Sequence, residues 1–245
     1  LDKFVDYFVV SESTRTHQGK EKKLNFDINK FQKFKHKIKY VVAKYDDHIS
    51  VEAHKGGESK IEQHQRNNIL EGLKDAREED LIILSDSDEI PDLTKLNQIK
   101  SYTKYTAFSQ MMFMYKINLQ NLNESNWIGS RVCRKKYLET PQSLRDMKFK
   151  KYPFWRLDKT RLQIINGGWH FSFLQSASDI ANKIKSYSHG EFNTNDNTNE
   201  KKILEKIKNN QDIFERGYNL KKIEINKNFP SYIVDNIKKY QNWII

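Results

Sequence analysis

The chain of 245 residues is 37% hydrophobic and 12% aromatic, which is enough large apolar side chain for one α/β domain and excludes wholesale disorder. Its 43 Lys and Arg residues outnumber the 32 Asp and Glu residues, and the net charge of +11 favours an anionic partner, although a compositional bias towards lysine explains the excess equally well. The one cysteine, Cys133, excludes an internal disulfide, and no apolar run reaches the roughly 20 residues of a membrane helix. These features predict a cytoplasmic protein without a transmembrane segment.

The first part of the chain predicts two strands, a helix and a third strand, in that order. Apolar and aromatic residues predict the strands at 4–12 and 37–43. A helix is predicted over 59–76, where apolar residues recur on one face. The all-apolar stretch 81–84 predicts a strand covered on both faces. This order of elements is typical of a parallel α/β unit.

The second part of the chain predicts two strands followed by two helices. The strands are predicted at 106–119 and 162–173, the latter interrupted by its Gly-Gly pair. The helices are predicted over 176–189 and 199–210. Because no repeat and no linker is evident, the sequence predicts a single domain over residues 1–245.

An acidic cluster follows the predicted strand 81–84, in the sequence "LIILSDSDEIPD". Asp86 and Asp88 are two residues apart, so in an extended chain they project to the same side. They lie at the carboxyl end of a strand, where open α/β sheets bind ligands. Two converging carboxylates repel unless a cation lies between them, which points to Mg²⁺ or Mn²⁺ with a substrate diphosphate. The alternative is a solvated acidic turn in which Asp92 caps the next helix.

Four segments of the chain resemble glycosyltransferase family 17, and they occur in the order and approximate spacing of that family. They are "VDYFVVSESTRTHQGKEKKLNF" at 5–26, "QRNNILEGL" at 65–73, "DLIILSDSDEIPDL" at 80–93, and "NGGWHFSF" with "KIKSYSHGEFN" at 166–193. The resemblance implies a GT-A-type α/β fold with a mostly parallel central sheet. It implies that residues 1–100 form the nucleotide-sugar-binding half, and residues 101–245 the acceptor half with the C-terminal helices. Without an anchor or cysteine pairs, the chain resembles the soluble bacterial or viral members.

The resemblance also implies an inverting transfer of a sugar, with Mn²⁺ or Mg²⁺ as cofactor. The donor is expected to be UDP-N-acetylglucosamine, and the acceptor a glycan or glycoconjugate. Metal binding is predicted for Asp86, Asp88 and His170, with Asp88 as the direct ligand; the alternative for His170 is an imidazole packed in the core. Contacts to the donor are predicted for Asp86 and for five further residues: Glu12, Arg66, Asn67, Lys183 and His189. For Arg66 and Asn67 the alternative is a polar helix surface that faces solvent.

A general base is needed to deprotonate the acceptor hydroxyl in a single displacement. Glu191 is the first candidate, and Glu89 and Asp146 compete with it. Glu89 alternatively supports the metal site or caps the chain before Pro91. The stretch 121–160 is expected to shape the acceptor side, through Trp127, Arg131, Arg134, Arg145, Trp155 and Arg156.

Two other functions compete with sugar transfer. A nucleic-acid-binding protein or metal-dependent nuclease would use the basic surface and the acidic cluster on phosphodiesters, with steeply salt-dependent binding. That interpretation does not explain the four segments, so no nucleic-acid partner is expected. An inactive relative that binds sugar nucleotide or glycan without turnover is the third possibility.

Overall fold

The computed structural model describes residues 1–45, 60–150, 155, 161–186 and 190–245 of the chain. The strands are β1 (Phe8–Ser13), β2 (Ile38–Ala43), β3 (Leu81–Leu84), β4 (Glu89–Pro91), β5 (Tyr105–Met114), β6 (Leu119–Asn121), β7 (Trp127–Arg134), β8 (Leu162–Ser172) and β9 (Leu220–Lys222). The α-helices are α1 (Lys60–Asn67), α2 (Pro141–Asp146), α3 (Ala177–Ser186), α4 (Glu200–Lys208) and α5 (Ser231–Asp235). None of the helices in these ranges has the length and apolar content needed to cross a membrane.

The strands form a mixed α/β architecture with two sheets. Strands β1 and β2 pair in parallel as a sheet of their own. The larger sheet has the order β3-β7-β5-β6-β9, and β8 pairs with both β5 and β4. Within this larger sheet β5 and β8 are parallel, while the other described pairings are antiparallel. Strands from both sides of residue 100 therefore share one sheet.

The prediction of a mostly parallel central sheet is wrong for the described strands. Strand β3 is not part of a parallel unit with β1 and β2, because it pairs antiparallel with β7 instead. It is also not covered on both faces over its whole length, since Leu81 is 43% exposed. An apolar run indicates burial, but it carries no information on the partner strand that sets the pairing direction.

The predicted helices are present with changed limits. Helix α1 continues as a 3₁₀-helix at Asn68–Leu73, and Gly72 within it lies against β1, where an added Cβ atom would come within 2.4 Å of Val9 Cγ1. Helix α3 begins after Ser176, whose hydroxyl accepts a hydrogen bond from the Asp179 backbone N–H at 3.2 Å. Helix α4 is capped by the Asn199 side chain, which accepts from the N–H groups of the first turn. Both helices are thus confirmed.

Two hydrophobic clusters lie on the larger sheet. One packs α3 and α4 against β5 and includes Met112, Met114, Ile180, Ile184 and Ile203, each at most 5% exposed. The other gathers Leu93, Phe108, Val132 and Ile165 around β5, β7 and β8. Burial of each large side chain contributes about 1.5–3 kcal/mol, so these clusters hold β5, β7 and β8 firmly in place. Strands β7 and β8 carry three residues of the candidate site, namely Trp127, Arg131 and His170.

Candidate functional site

The acidic cluster forms a tight turn between β3 and β4. The Glu89 N–H donates to the Asp86 carbonyl at 3.0 Å, and the Phe171 N–H donates to the Asp88 carbonyl at 2.8 Å. Strand β4 approaches β8 closely at Gly168, which has a φ of +114° and leaves no room for a Cβ atom beside the Ile90 carbonyl. This close approach, which Gly168 makes possible, places the turn beside His170.

Asp88 faces two cationic or potentially cationic side chains. One of its carboxylate oxygens lies 3.5 Å from His170 Nε2, and the other lies 3.9 Å from Lys183 Nζ. Burial alone would raise the pKa of Asp88, but the hydrogen bond to His170 and the charges of His170 and Lys183 outweigh it and lower the pKa. Asp88 is therefore ionised, and its side chain stays 29% exposed and open to a ligand.

His170 is 7% exposed and lies at the point where β8 meets β4 and β5. Its ring is tilted against the Trp127 indole at a centroid distance of 4.7 Å. In the described part of the chain, its buried Nδ1 atom has no hydrogen-bond partner. A buried imidazole nitrogen usually has one, so the ring retains a polar atom for a ligand or a water molecule.

The Asp86 carboxylate pairs with two arginines, Arg145 and Arg66, rather than with the partners of Asp88. It lies 2.6 Å from Arg145 Nη2 and 3.6 Å from Arg66 Nη2. Arg131 lies nearby, and its pKa is lowered to about 10 by burial and by the charges of Arg145 and Arg66, against the opposite influence of Glu89 and Asp86. Three guanidinium groups thus lie close together, two of them paired with Glu62, Asp86 and Glu89, and guanidinium groups are preferred partners of phosphate-type anions.

Glu89 is the most buried of these acids, with a side chain 1% exposed. Its Oε1 accepts hydrogen bonds from Trp127 Nε1 at 2.9 Å and Arg145 Nη1 at 3.0 Å. Its Oε2 accepts from the Asp86 N–H at 3.3 Å. Glu89 thus fixes the indole that supports His170 and the arginine that faces Asp86. These bonds fit a residue that positions the site better than one that abstracts a proton.

Arg66 and Asn67 connect α1 to α2. Arg66 donates to Glu62 Oε1 at 2.9 Å and to the Gln142 side chain. Asn67 Oδ1 accepts from the Gln142 N–H at 2.9 Å. The Gln142 amide in turn donates to Asp146 Oδ1 at 2.8 Å. Arg66 therefore joins the cluster, whereas Asn67 holds the start of α2, and its contact with a nucleoside stays a prediction.

Glu12 does not join the cluster through any contact in the described residues. Its two carboxylate oxygens accept hydrogen bonds from Lys22 Nζ, the Asn25 N–H, the Phe26 N–H and the Tyr40 hydroxyl. Burial opposes its ionisation, but these donors outweigh burial and lower the pKa of Glu12 to about 2. Glu12 thus anchors the loop after β1, and its predicted contact with the donor stays a prediction.

Glu12→Gln is expected to remove a pH-dependent part of the stability. Because the folded-state pKa is about 2 against an ordinary value of 4.5, the ionised carboxylate contributes about 3 kcal/mol above pH 4.5. This contribution is lost as the pH falls from 4.5 towards 2. Urea unfolding at pH 7, 4 and 2.5 should show the stability gap between wild type and variant narrowing. Glu205→Gln, at an exposed site on α4, is the matched control, and a gap that stays constant contradicts the assignment.

The remaining predicted residues are Lys183, His189 and Glu191. Lys183 joins the site beside Asp88. Glu191 is exposed in the short 3₁₀-helix Gly190–Phe192, and His189 lies outside the described residues. Their catalytic and donor-binding roles stay predictions.

The predicted metal ligands come together only in part. Within the described ranges, no three His, Cys, Asp or Glu side chains converge as a metal-binding group. Asp88 and His170 are adjacent, whereas Asp86 is engaged by Arg145 and Arg66. One carboxylate with one imidazole fits a Mg²⁺ or Mn²⁺ ion that completes its coordination with substrate phosphates and water.

Three residues of the site are predicted from the sequence only as part of the acceptor side, without a specific role: Trp127, Arg131 and Arg145. They lie on β7 and α2, within the stretch 121–160 where no regular pattern is visible. The one available signal is their composition, since Trp and Arg are typical of ligand sites.

Comparison with protein families gives a match over nearly the whole chain. The family model of glycosyltransferase family 17 matches residues 1–242 of the 245 residues. No curated protein and no solved structure matches the chain. The interpretation as a nucleic-acid-binding protein or nuclease has no support from these comparisons. The matched range includes the acidic turn, the three arginines and His170, and the chain therefore belongs to glycosyltransferase family 17 and is a glycosyltransferase.

Proposed function

We propose that the chain is an inverting, metal-dependent glycosyltransferase with a GT-A-type active site. It transfers a sugar, with N-acetylglucosamine as the first candidate, from a UDP-sugar to a hydroxyl of a glycan or glycoconjugate. One observation carries this proposal: the Asp88–His170 pair, Lys183 and three largely buried arginines come together around one turn. This is a place for a diphosphate, and a nucleotide-sugar donor supplies one.

The donor site assigns separate tasks to these side chains. Asp88 and His170 would hold Mn²⁺ or Mg²⁺, which when bound neutralises the diphosphate and makes it a better leaving group. Arg66, Arg145 and Lys183 stabilise the negative charge that grows on the departing nucleoside diphosphate. They are held in place before the reaction, so little reorganisation is needed when the charge develops.

The acceptor hydroxyl needs a base on the face opposite the leaving group, because one in-line displacement inverts the anomeric centre. Glu191 is retained as the proposed base, since it is exposed and lies beyond the α3 helix that carries Lys183. Asp146 remains its competitor, because its carboxylate is exposed on α2. That carboxylate accepts a hydrogen bond from the Gln142 side chain.

The test of this function is calorimetric binding of UDP-N-acetylglucosamine with and without Mn²⁺. Wild type should bind the donor only in the presence of the metal, and His170→Ala should weaken that binding by about 10-fold or more. His36→Ala, in an exposed position of the 3₁₀-helix Ile28–Lys37, is the matched control. A panel of nucleotide sugars follows if this donor fails, and the absence of binding across the panel with every divalent metal contradicts the proposal.

A further inference from the structure

A cavity of about 290 Å³ opens on the side of the acidic turn that faces α3. Its floor is apolar and includes Phe171 and Phe173, at the end of β8 and just beyond it. Its rim is polar and includes Ser87, Asp88, Gln175 and Lys183. The cavity thus combines an aromatic floor with hydrogen-bonding groups around one opening.

Phe173 is held in an unusual backbone conformation beside this cavity. Its φ of +53° lies in the left-handed region, which costs a bulky residue of order 1–3 kcal/mol and is found mainly at functional sites. The Phe173 ring lies 4.8 Å from Lys183 Nζ, which is also 3.9 Å from Asp88. The strained residue therefore helps to place the Lys183 ammonium group at the rim.

Two rim side chains have unused hydrogen-bonding capacity. Neither the Ser87 hydroxyl nor the Gln175 side-chain amide bonds to another group in the part of the chain that the structure describes. Together with the Asp88 carboxylate and the Lys183 ammonium group, they offer donors and acceptors around an apolar floor. A sugar ring has the complementary character, with C–H faces that pack on aromatic rings and hydroxyls at its edge.

The turn has a different character on each side. Arg66 and Arg145 pair with Asp86, and neither they nor Arg131 line the cavity beside Asp88. A nucleotide sugar has the same division, with an anionic diphosphate next to an uncharged ring. The volume is at the lower end of the range of about 300–1,000 Å³ for ligand pockets, which suits one sugar ring.

We propose that this cavity holds the sugar ring that is transferred, with Ser87 and Gln175 as its hydrogen-bonding residues and the phenylalanines as its floor. The inference rests on the proposed function, since the ring is taken to be part of the donor. It separates the donor site into an arginine side for the diphosphate and an aromatic side for the sugar.

The test compares the affinities for UDP and UDP-N-acetylglucosamine, in Mn²⁺, of wild type and Gln175→Trp. Gln175 is exposed at the rim, so an indole there fills the cavity without disturbing the core. The affinity for UDP-N-acetylglucosamine should fall by about 10-fold or more, while the affinity for UDP changes by less than about twofold. Ser178→Trp, exposed on α3 outside the cavity, is the control. An unchanged affinity for the sugar nucleotide, or an equal loss for both ligands, overturns the inference.

A second measurement separates this inference from the proposed function. If UDP does not bind to wild type, the proposed donor is wrong, and saturation-transfer NMR with free N-acetylglucosamine then tests the cavity alone. A signal in wild type that disappears in Gln175→Trp supports a sugar site. A signal that is absent in wild type, or equal in both proteins, overturns it.

Discussion

Replacing Asp88 by asparagine should lower kcat/KM for sugar transfer by about 10²–10³-fold, which corresponds to the loss of one strong electrostatic contact in the transition state. The asparagine side chain has the same shape but no charge, so it holds a divalent cation poorly and no longer attracts Lys183. Because Asp88 is partly exposed and lies in a turn, the fold should remain intact. The measurement is the initial rate of UDP release as a function of Mn²⁺ concentration. Half-maximal activity should move to a higher Mn²⁺ concentration in the variant.

Asp92→Asn is the matched control within the same acidic stretch. Asp92 caps the 3₁₀-helix Leu93–Gln98 by accepting from the Thr94 N–H, and asparagine is an equally good cap. Its activity should stay within about twofold of wild type. If Asp88→Asn also keeps full activity, the acidic turn is a solvated surface feature and the donor site lies elsewhere.

The acidic turn could be predicted from the sequence because its signal is local. An apolar run that ends in closely spaced acids indicates a strand, and it also indicates that negative charge lies at the carboxyl end of that strand. The partners of the turn are not local. Glu89 bonds to Trp127 and Arg145, which follow it by 38 and 56 residues, and neither lies in a stretch with a regular pattern. The arginine side of the site could therefore be recognised only from the positions of β7 and α2 in the fold.

Glu12 illustrates the opposite difficulty. A carboxylate at the end of the first strand is a reasonable ligand for a ribose, and the residue type supports that prediction. In the structure, two of its four donors are backbone N–H groups, at Asn25 and Phe26. Backbone donors have no signature in the side-chain sequence, so a structural anchor and a ligand-binding acid look the same at that level. The pairing direction of β3 could not be predicted from the local sequence either, because it is set by β7, a strand that is distant in the sequence.

Glu89→Gln should lower kcat/KM by about 10–100-fold while leaving the pH dependence of the reaction unchanged. Glutamine can still accept from Trp127 Nε1, but it removes the charge that holds Arg145 beside Asp86. Glu89→Ala should in addition lower the free energy of unfolding by about 3 kcal/mol, since it leaves buried donors unpaired. The measurements are the pH–rate profile for the glutamine variant and urea unfolding for both.

The pH profile distinguishes a positioning residue from a general base. Loss of the base costs about 10²–10⁴-fold and removes the acidic limb of the profile, where activity rises as the base ionises. That limb should be retained in Glu89→Gln and lost in Glu191→Gln, the matched substitution at the proposed base. Glu89 is buried under three hydrogen bonds, so it could not meet an incoming hydroxyl without rearrangement, whereas the proposed base Glu191 is exposed. The reverse result is a limb lost in Glu89→Gln and kept in Glu191→Gln. It would identify Glu89 as the base, and the arginines would then serve to compensate the charge of Glu89.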